Sequence, residues 1–391
     1  MSWGIYVHVP WCTRSCPYCA FFHEPARDVP WDRYVDAVLA EHAGLRPLFP
    51  GEPTTLYLGG GSPSLLPLEP LARLIAGLAP DGVEELTLEV NPEDANPAWL
   101  AGVRALGVHR LSLGVQSLRG AAKTLGRARS SRAAPAVIAH IRELGFPSWS
   151  ADLIFAVPGQ TLEELRLDLD AYLALEPPHL SLYGLTLEPG TAFGRRAEAG
   201  RLRPLPPALW REMYDLLVST LQEAGLRRYE VSNFARDGHR SRHNRLYWRD
   251  RPYMGLGPGA HGYAPDGRRW SNAHDIEGYL RAPLTSASWE RPSPGEAAID
   301  YLLSATRGSD GVDLERLARR TGHRLNPQAT ARLVAGGLLE AQAGVLTLTG
   351  EGYPLCDAVI SHLVDALVAP AAGAADRTSP AGPPAPQDEI G

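Results

Sequence analysis

Strand-like and helix-like segments alternate six times over roughly the first 185 residues of this chain, and that rhythm leaves few folds open. The runs Trp3–Val9, Thr54–Leu58, Glu85–Val90, Arg110–Val115, Trp149–Phe155 and Leu180–Leu185 are rich in Val, Ile, Leu, Tyr and Thr, as strands are. Between them Arg33–Leu45, Leu65–Leu78, Pro97–Leu106, Pro135–Leu144 and Leu162–Leu175 carry apolar residues at helical spacing. Repeated strand–helix units imply a parallel sheet with helices outside, either an open doubly wound sheet or a partial (β/α) barrel. In both, chemistry gathers at the carboxyl ends of the strands. Polar residues stand at such ends here: Glu89, Gln116 and Asp152.

The remainder of the 391 residues has a different texture. Arg201, Arg203, Pro204, Pro206 and Pro207 read as a connector, followed by a helix, an Arg/His-rich loop over 236–251 and a glycine run at 254–261. Two helices, Val312–Arg320 and Pro327–Ala335, precede a hairpin pattern, Leu338–Thr347, which is winged-helix-like. The expected division is therefore 1–205 for the barrel, 206–290 for an extension, 291–366 for a small winged-helix-like domain and 367–391 for a disordered Ala/Pro/Gly-rich tail. A hydrophobic content of 44% excludes wholesale disorder, and a net charge of −6 argues against bulk nucleic-acid binding. The winged-helix region carries nearly balanced charge, so it is expected to pack rather than to bind nucleic acid. No apolar run approaches a membrane span, and Met1–Cys12 has no Lys or Arg, so no secretory signal is expected and the protein is expected to be cytoplasmic.

Three of the four cysteines fall within eight residues, as Cys12-Thr13-Arg14-Ser15-Cys16-Pro17-Tyr18-Cys19, directly after the first strand. Such a cluster in a cytosolic chain points to a metal site rather than a disulfide framework, and Cys356 alone to a small buried hydrophobe. Three thiolates from one loop can hold three corners of a cubane, leaving one iron open to an exogenous ligand such as S-adenosylmethionine (SAM). Electron transfer to the sulfonium would then yield a 5′-deoxyadenosyl radical. The competing arrangement is a zinc site, because His23 lies four residues past Cys19 and completes a Cys3His set.

C-x3-C-x2-C with Tyr18 before the last Cys resembles the radical-SAM signature. The stretch Tyr6-Val7-His8-Val9-Pro10-Trp11-Cys12 looks like the opening of the oxygen-independent coproporphyrinogen oxidase family. Gly59-Gly60-Gly61-Ser62-Pro63, Glu89-Val90-Asn91-Pro92, Gly114-Val115-Gln116-Ser117, Leu125-Gly126-Arg127 and Asp152-Leu153-Ile154-Phe155 resemble that family's motifs in order. The resemblance implies a partial (β/α)6 TIM-type radical-SAM barrel, a [4Fe–4S] cluster on Cys12, Cys16 and Cys19, and SAM held by Tyr6, Tyr18, Gly59, Gly60, Gly61, Ser62, Glu89, Gln116, Arg127 and Asp152. Two departures stand out: the interval from Gln116 to Arg127 is one residue short, and Ala156 occupies a position where glycine is usual.

The family contains both oxidases, which decarboxylate coproporphyrinogen III, and haem chaperones. The oxidases carry a fourth Cys where this chain has Phe21, and a longer segment before the cluster. His243-Asn244-Arg245-Leu246-Tyr247-Trp248 resembles the HNxxYW motif of the chaperones. A histidine can give iron an axial imidazole, and Tyr247 and Trp248 offer flat surface to a macrocycle. Arg240, Arg242, Arg245 and Arg249 could pair with propionates. The resemblance thus implies a haem carrier that delivers its cargo to acceptors such as respiratory enzymes, with at most peripheral membrane association. His239 and His261 are second candidates for the iron ligand.

Overall fold

Parallel strands covered on both faces ordinarily read as unbroken apolar runs. Six in this chain alternate instead: Gly4–Val9 (β1), Thr55–Gly60 (β2), Glu85–Val90 (β3), Arg110–Gln116 (β4), Ser148–Phe155 (β5) and His179–Gly184 (β6). One set of residues, including Ile5, Val7, Leu56, Leu58, Leu88, Leu111 and Leu113, joins Val35, Leu71, Leu100, Ile138 and Leu169 of the helices in a single core. The other set is polar: Tyr6, His8, Tyr57, Glu89, Ser112, Ser150, Asp152 and Ser181. With period two, those side chains share the opposite face of the sheet. The Ser112–Ser150 hydroxyl pair at 2.9 Å and the Tyr57–Glu89 bond at 2.8 Å tie adjacent strands across it.

In the computed structural model of the chain, which describes residues 2–369, β1 to β6 are consecutive neighbours, all parallel. The helices between them lie outside, so the polar face becomes the lumen of a partial (β/α)6 barrel. Residues 206–290 continue its sheet at both edges. They supply Arg227–Arg228 (β7) and Asn233–Ala235 (β8) beyond β6, and Tyr253–Leu256 (β9), His261–Tyr263 (β10), Arg269–Asn272 (β11) and Ala287–Glu290 (β12) beyond β1. The result is one open sheet of twelve strands, ordered β12-β11-β10-β9-β1-β2-β3-β4-β5-β6-β8-β7.

The helix expected from Pro135 begins seven residues earlier and spans Ala128–Glu143 with Pro135 inside it. Burial of Ser130, Ala134, Val137, Ile138 and Ile141 along one face offsets the lost backbone bond. Thr161 opens the next helix, Leu162–Leu173, with a capping box to Glu164. The C-terminal unit contains helices Pro294–Ala305, Leu314–Thr321, Pro327–Ala335 and Cys356–Asp365, and the hairpin Leu339–Gln342/Val345–Leu348. The hairpin turns on Ala343 and Gly344, both at positive φ. Leu367–Val368 pairs with Arg324–Leu325, so the stretch assigned to the tail begins as strand; residues 370–391 lie outside the described residues. Among the described residues no helix is long and apolar enough to cross a membrane.

Candidate functional site

The cysteine loop leaves β1 and is pinned at both ends, because Trp11–Cys12 pairs with Glu24–Pro25. A turn closed by Cys19 N–H donating to the Cys16 carbonyl at 3.2 Å brings the later thiols together. Cys12, Cys16 and Cys19 are free, half-buried and line one cavity of about 500 Å³ at the carboxyl end of the barrel. Ser62 Oγ donates to Cys12 Sγ at 3.4 Å, and Arg127 Nη1 donates to Cys16 Sγ at 3.6 Å. Burial pushes the Cys12 thiol up to about 11, against the Ser62 hydrogen bond, and also pushes the Cys19 thiol up. The Cys3His alternative does not assemble: His23 spends its ring nitrogens on the Phe21 carbonyl and Ser15 Oγ, each at 2.8 Å. Among the described residues, no three Cys, His, Asp or Glu side chains converge on a point that would hold one metal ion. Three thiols spread around a common space suit the corners of a cluster instead.

The rest of the cavity wall comes from the strand ends. Gly60, Gly61, Ser62, Glu89, Gln116, Arg127, Asp152 and Tyr18 all line it. Glu89 accepts from Tyr57 Oη at 2.8 Å and from the Gly60 amide at 3.0 Å. Burial, with Asp152 nearby, lifts its carboxyl to about 7, and burial lifts Asp152 to about 6. Gln116 sits at φ 70° where the β4–β5 register slips, a bulge that re-aims its side chain. Gln116 Oε1 and Asp152 Oδ1 are buried without a partner, as is Arg127 Nε. Buried polar atoms are rarely left unpaired. The Gln116 amide oxygen and the Glu89 and Asp152 carboxyls, facing a cavity beside three thiols, fit a cationic, hydrogen-bonding ligand such as SAM.

Two expected SAM residues lie elsewhere. Tyr6 is not in the cavity wall; its hydroxyl bonds His8 Nδ1 at 3.0 Å deeper in the lumen. Gly59 also stands behind the wall, where a Cβ would come within 3.0 Å of the Glu89 carboxylate and 2.9 Å of the Tyr57 ring. Its smallness makes room for the residue that does face the ligand space. Several supports escaped the sequence reading. Asn91 accepts from Arg127 Nη2 and donates to Ser62 Oγ, both at 2.7 Å. Glu93 pairs with Arg14 of the cysteine loop and accepts from Ser130. Asp168 grips Ser117 and the Leu118 amide, fixing the loop after Gln116. Asn91 lay within a recognised motif; Asp168 sits in an ordinary helix and gave no signal.

The haem motif is at the other end of the barrel. Helix Arg242–Trp248 plugs the amino ends of the strands, its first amides donating to Glu85 at 3.0 Å. His243 is 1% exposed, and its Nδ1 and Nε2 bond Thr55 Oγ1 at 2.7 Å and Tyr247 Oη at 2.8 Å. Burial drives its pKa down to about 3, so it is a neutral, satisfied histidine. In this conformation no ring nitrogen is open to iron, contrary to the expectation for His243. Tyr247 and Trp248, in contrast, line a second cavity of about 680 Å³. His239 Nδ1 bonds Ser148 Oγ at 3.0 Å, and His239 lines neither cavity.

The model of the Radical SAM superfamily matches residues 6–171, and that domain implies a [4Fe–4S] cluster and SAM as cofactors. The haem chaperone HemW of Mycobacterium tuberculosis is 37% identical over 377 residues, covering 92% of this chain and 94% of the relative. That of Synechocystis sp. is 35% identical, covering 81% of each, and that of Escherichia coli is 38% identical, covering 68% and 71%. Among solved structures, the coproporphyrinogen III oxidase HemN of Escherichia coli superposes with a TM-score of 0.77 at 21% identity, covering 93% of this chain and 90% of that one. That likeness speaks to the fold: the same barrel and C-terminal elements serve both branches. Sequence identity of this order along nearly the whole chain decides between them, and the chain belongs to the haem chaperone HemW family of radical SAM proteins.

Proposed function

We propose that this protein binds haem and hands it to acceptor proteins, respiratory enzymes among them, while carrying a [4Fe–4S] cluster and SAM. Cys12, Cys16 and Cys19 would hold the cluster, with Ser62 and Arg127 steadying two of the sulfurs. Gly60, Gly61 and Ser62 would bring backbone close to SAM; Glu89 and Asp152 would meet its cationic groups; Gln116 and Arg127 would fix its polar edges, and Tyr18 would flank it. Tyr6 and Gly59 act one step back, through His8 and Glu89. When bound, the cluster can pass one electron to a sulfonium ligand. The division into barrel (1–205), extension (206–290) and winged-helix-like unit (291–366) follows function: the first would hold the cofactors, and the second carries the Tyr247–Trp248 motif. The reading keeps the protein in the cytoplasm, where free thiols stay reduced.

The observation that carries this reading is the pairing of three thiols with unpartnered Gln116 Oε1 and Asp152 Oδ1 in one cavity, in a chain whose relatives are haem chaperones. The test is transfer. Protein purified without oxygen is loaded with haem and mixed with a haem-depleted respiratory enzyme, and the visible spectrum follows the haem. Movement of haem to the acceptor is expected. Conversion of coproporphyrinogen III to protoporphyrinogen in the presence of SAM and a reductant would instead identify an oxidase.

A further inference from the structure

The three thiols of the cysteine loop have unequal surroundings. Cys19 takes the Phe21 amide as a donor, and Cys16 takes Arg127 Nη1 at 3.6 Å and the Tyr18 hydroxyl. Cys12 has one side-chain donor among the described residues, Ser62 Oγ at 3.4 Å. Ser62 is 1% exposed, so its hydroxyl depends on protein partners. It is held against Cys12 by its neighbour: the Gly61 amide donates to the Val9 carbonyl at 2.8 Å, and a Cβ on Gly61 would come within 2.7 Å of the Val9 and Trp11 carbonyls. Only glycine lets the loop after β2 lie this close to the chain entering Cys12.

Asn91 joins the two sulfurs that have side-chain donors. Its oxygen accepts from Arg127 Nη2 at 2.7 Å, and its amide nitrogen donates to Ser62 Oγ at 2.7 Å. This orientation is forced. A guanidinium only donates, so the Asn91 oxygen must face Arg127 and the NH2 must face Ser62. The Asp94 carboxyl accepts from the same amide, which agrees. An N–H cannot accept in return, so the Ser62 proton is directed to Cys12 Sγ. A line of hydrogen bonds thus runs from Cys16 through Arg127, Asn91 and Ser62 to Cys12. Gly114 leaves room for its centre, because a Cβ there would come within 2.9 Å of Arg127 Nη2 and 3.4 Å of Asn91 Oδ1.

Hydrogen bonds to the sulfurs help set the potential of an iron–sulfur cluster, because they favour its more negative, reduced state. Resting on the cluster reading above, we propose that Asn91 is a positioning residue that raises the reduction potential of the [4Fe–4S] cluster without touching a sulfur, by turning the Ser62 proton onto Cys12 and holding the Arg127 guanidinium on Cys16. An aspartate at 91 would accept from both neighbours and draw the Ser62 proton away from Cys12.

The test is the midpoint potential of the full-length protein, reconstituted without oxygen, checked for iron and sulfide, and read without SAM by electron paramagnetic resonance of the reduced cluster at set potentials. Ser62→Ala should lower the potential, and so should Asn91→Asp. The double variant should fall by less than the sum of the two shifts, since the second change finds the donor to Cys12 already lost. Asn91→Ala takes the place of Asn91→Asp should the latter take up no cluster, with the same expectation. A wild-type potential in Ser62→Ala or in the Asn91 variant would overturn the proposal. So would strictly additive shifts, which would mean that position 91 acts by its charge alone. Either result leaves the cluster on Cys12, Cys16 and Cys19 intact. Wild type that takes up no cluster would remove both.

Discussion

Glu89 offers the sharpest test of how the cofactor cavity is built. Its carboxyl is fully enclosed, and burial raises its pKa from 4.5 to about 7. In the unfolded chain it ionises near 4.5, so between that value and about 7 the fold holds a proton that the unfolded state releases. The stabilisation from the neutral form is therefore complete below 4.5 and is lost as pH rises through 7. At about 1.4 kcal/mol per pH unit, the lift amounts to roughly 3 kcal/mol, an order-of-magnitude figure. Glu89→Gln is neutral at every pH, and its amide can still accept from Gly60 while donating to Tyr57. Urea unfolding of both proteins without added SAM, at pH 5 and pH 8, isolates the effect from Glu41, Glu230 and Asp152, which are also raised by burial. Wild type should lose more stability than the variant across that interval, by up to about 3 kcal/mol. SAM, carrying positive charge, should bind wild type more tightly as pH rises and should not do so for the variant. Parallel stability profiles for the two proteins would refute the assigned desolvation, and with it the view of Glu89 as a poised, buried acid.

Two further outcomes follow from local geometry. Ala156 sits at φ 59°, where a Cβ is strained by about 1 kcal/mol or somewhat more; Ala156→Gly should relieve this and, after the entropy glycine loses on folding, raise stability by about 0.5 kcal/mol. An unchanged or lower urea midpoint would show that the strain is absent. Asp250 is 5% exposed on its side chain and bridges Arg316 and Arg320 of the C-terminal unit. Asp250→Ala should cost about 2 kcal/mol or more by leaving two arginines facing each other, and should make limited proteolysis cut within 291–366 before the barrel.

The alternation of β1 to β6 with helices, the glycine motif after β2 and the thiol triplet after β1 were all legible in the chain, because each depends on neighbours in sequence. The period-two polarity of the same strands, which makes the lumen polar rather than aliphatic, escaped that reading. Local reading failed where distant residues meet. The stretch 206–290 reads as an extension, but where it attaches is not legible: its strands pair with β1 and β6, an outcome set by which sheet edges remain open. Pro135 read as a helix start, but the apolar stripe through Ala134, Val137, Ile138 and Ile141 carries the helix past it.

His243 shows the boundary most clearly. Its motif is visible in the primary structure, and from that alone it is the natural iron ligand. Whether an imidazole nitrogen is free depends on Thr55, from a strand 188 positions away, and on Tyr247, one turn along its own helix. Order along the chain thus determined a parallel sheet of strand–helix units and the cysteine loop, and the motifs carried the resemblance that implied the barrel and the family. Packing alone decided which histidine is satisfied, which glycine touches ligand space and where a second cavity opens, because hydrogen-bond partners and voids are properties of the folded surface.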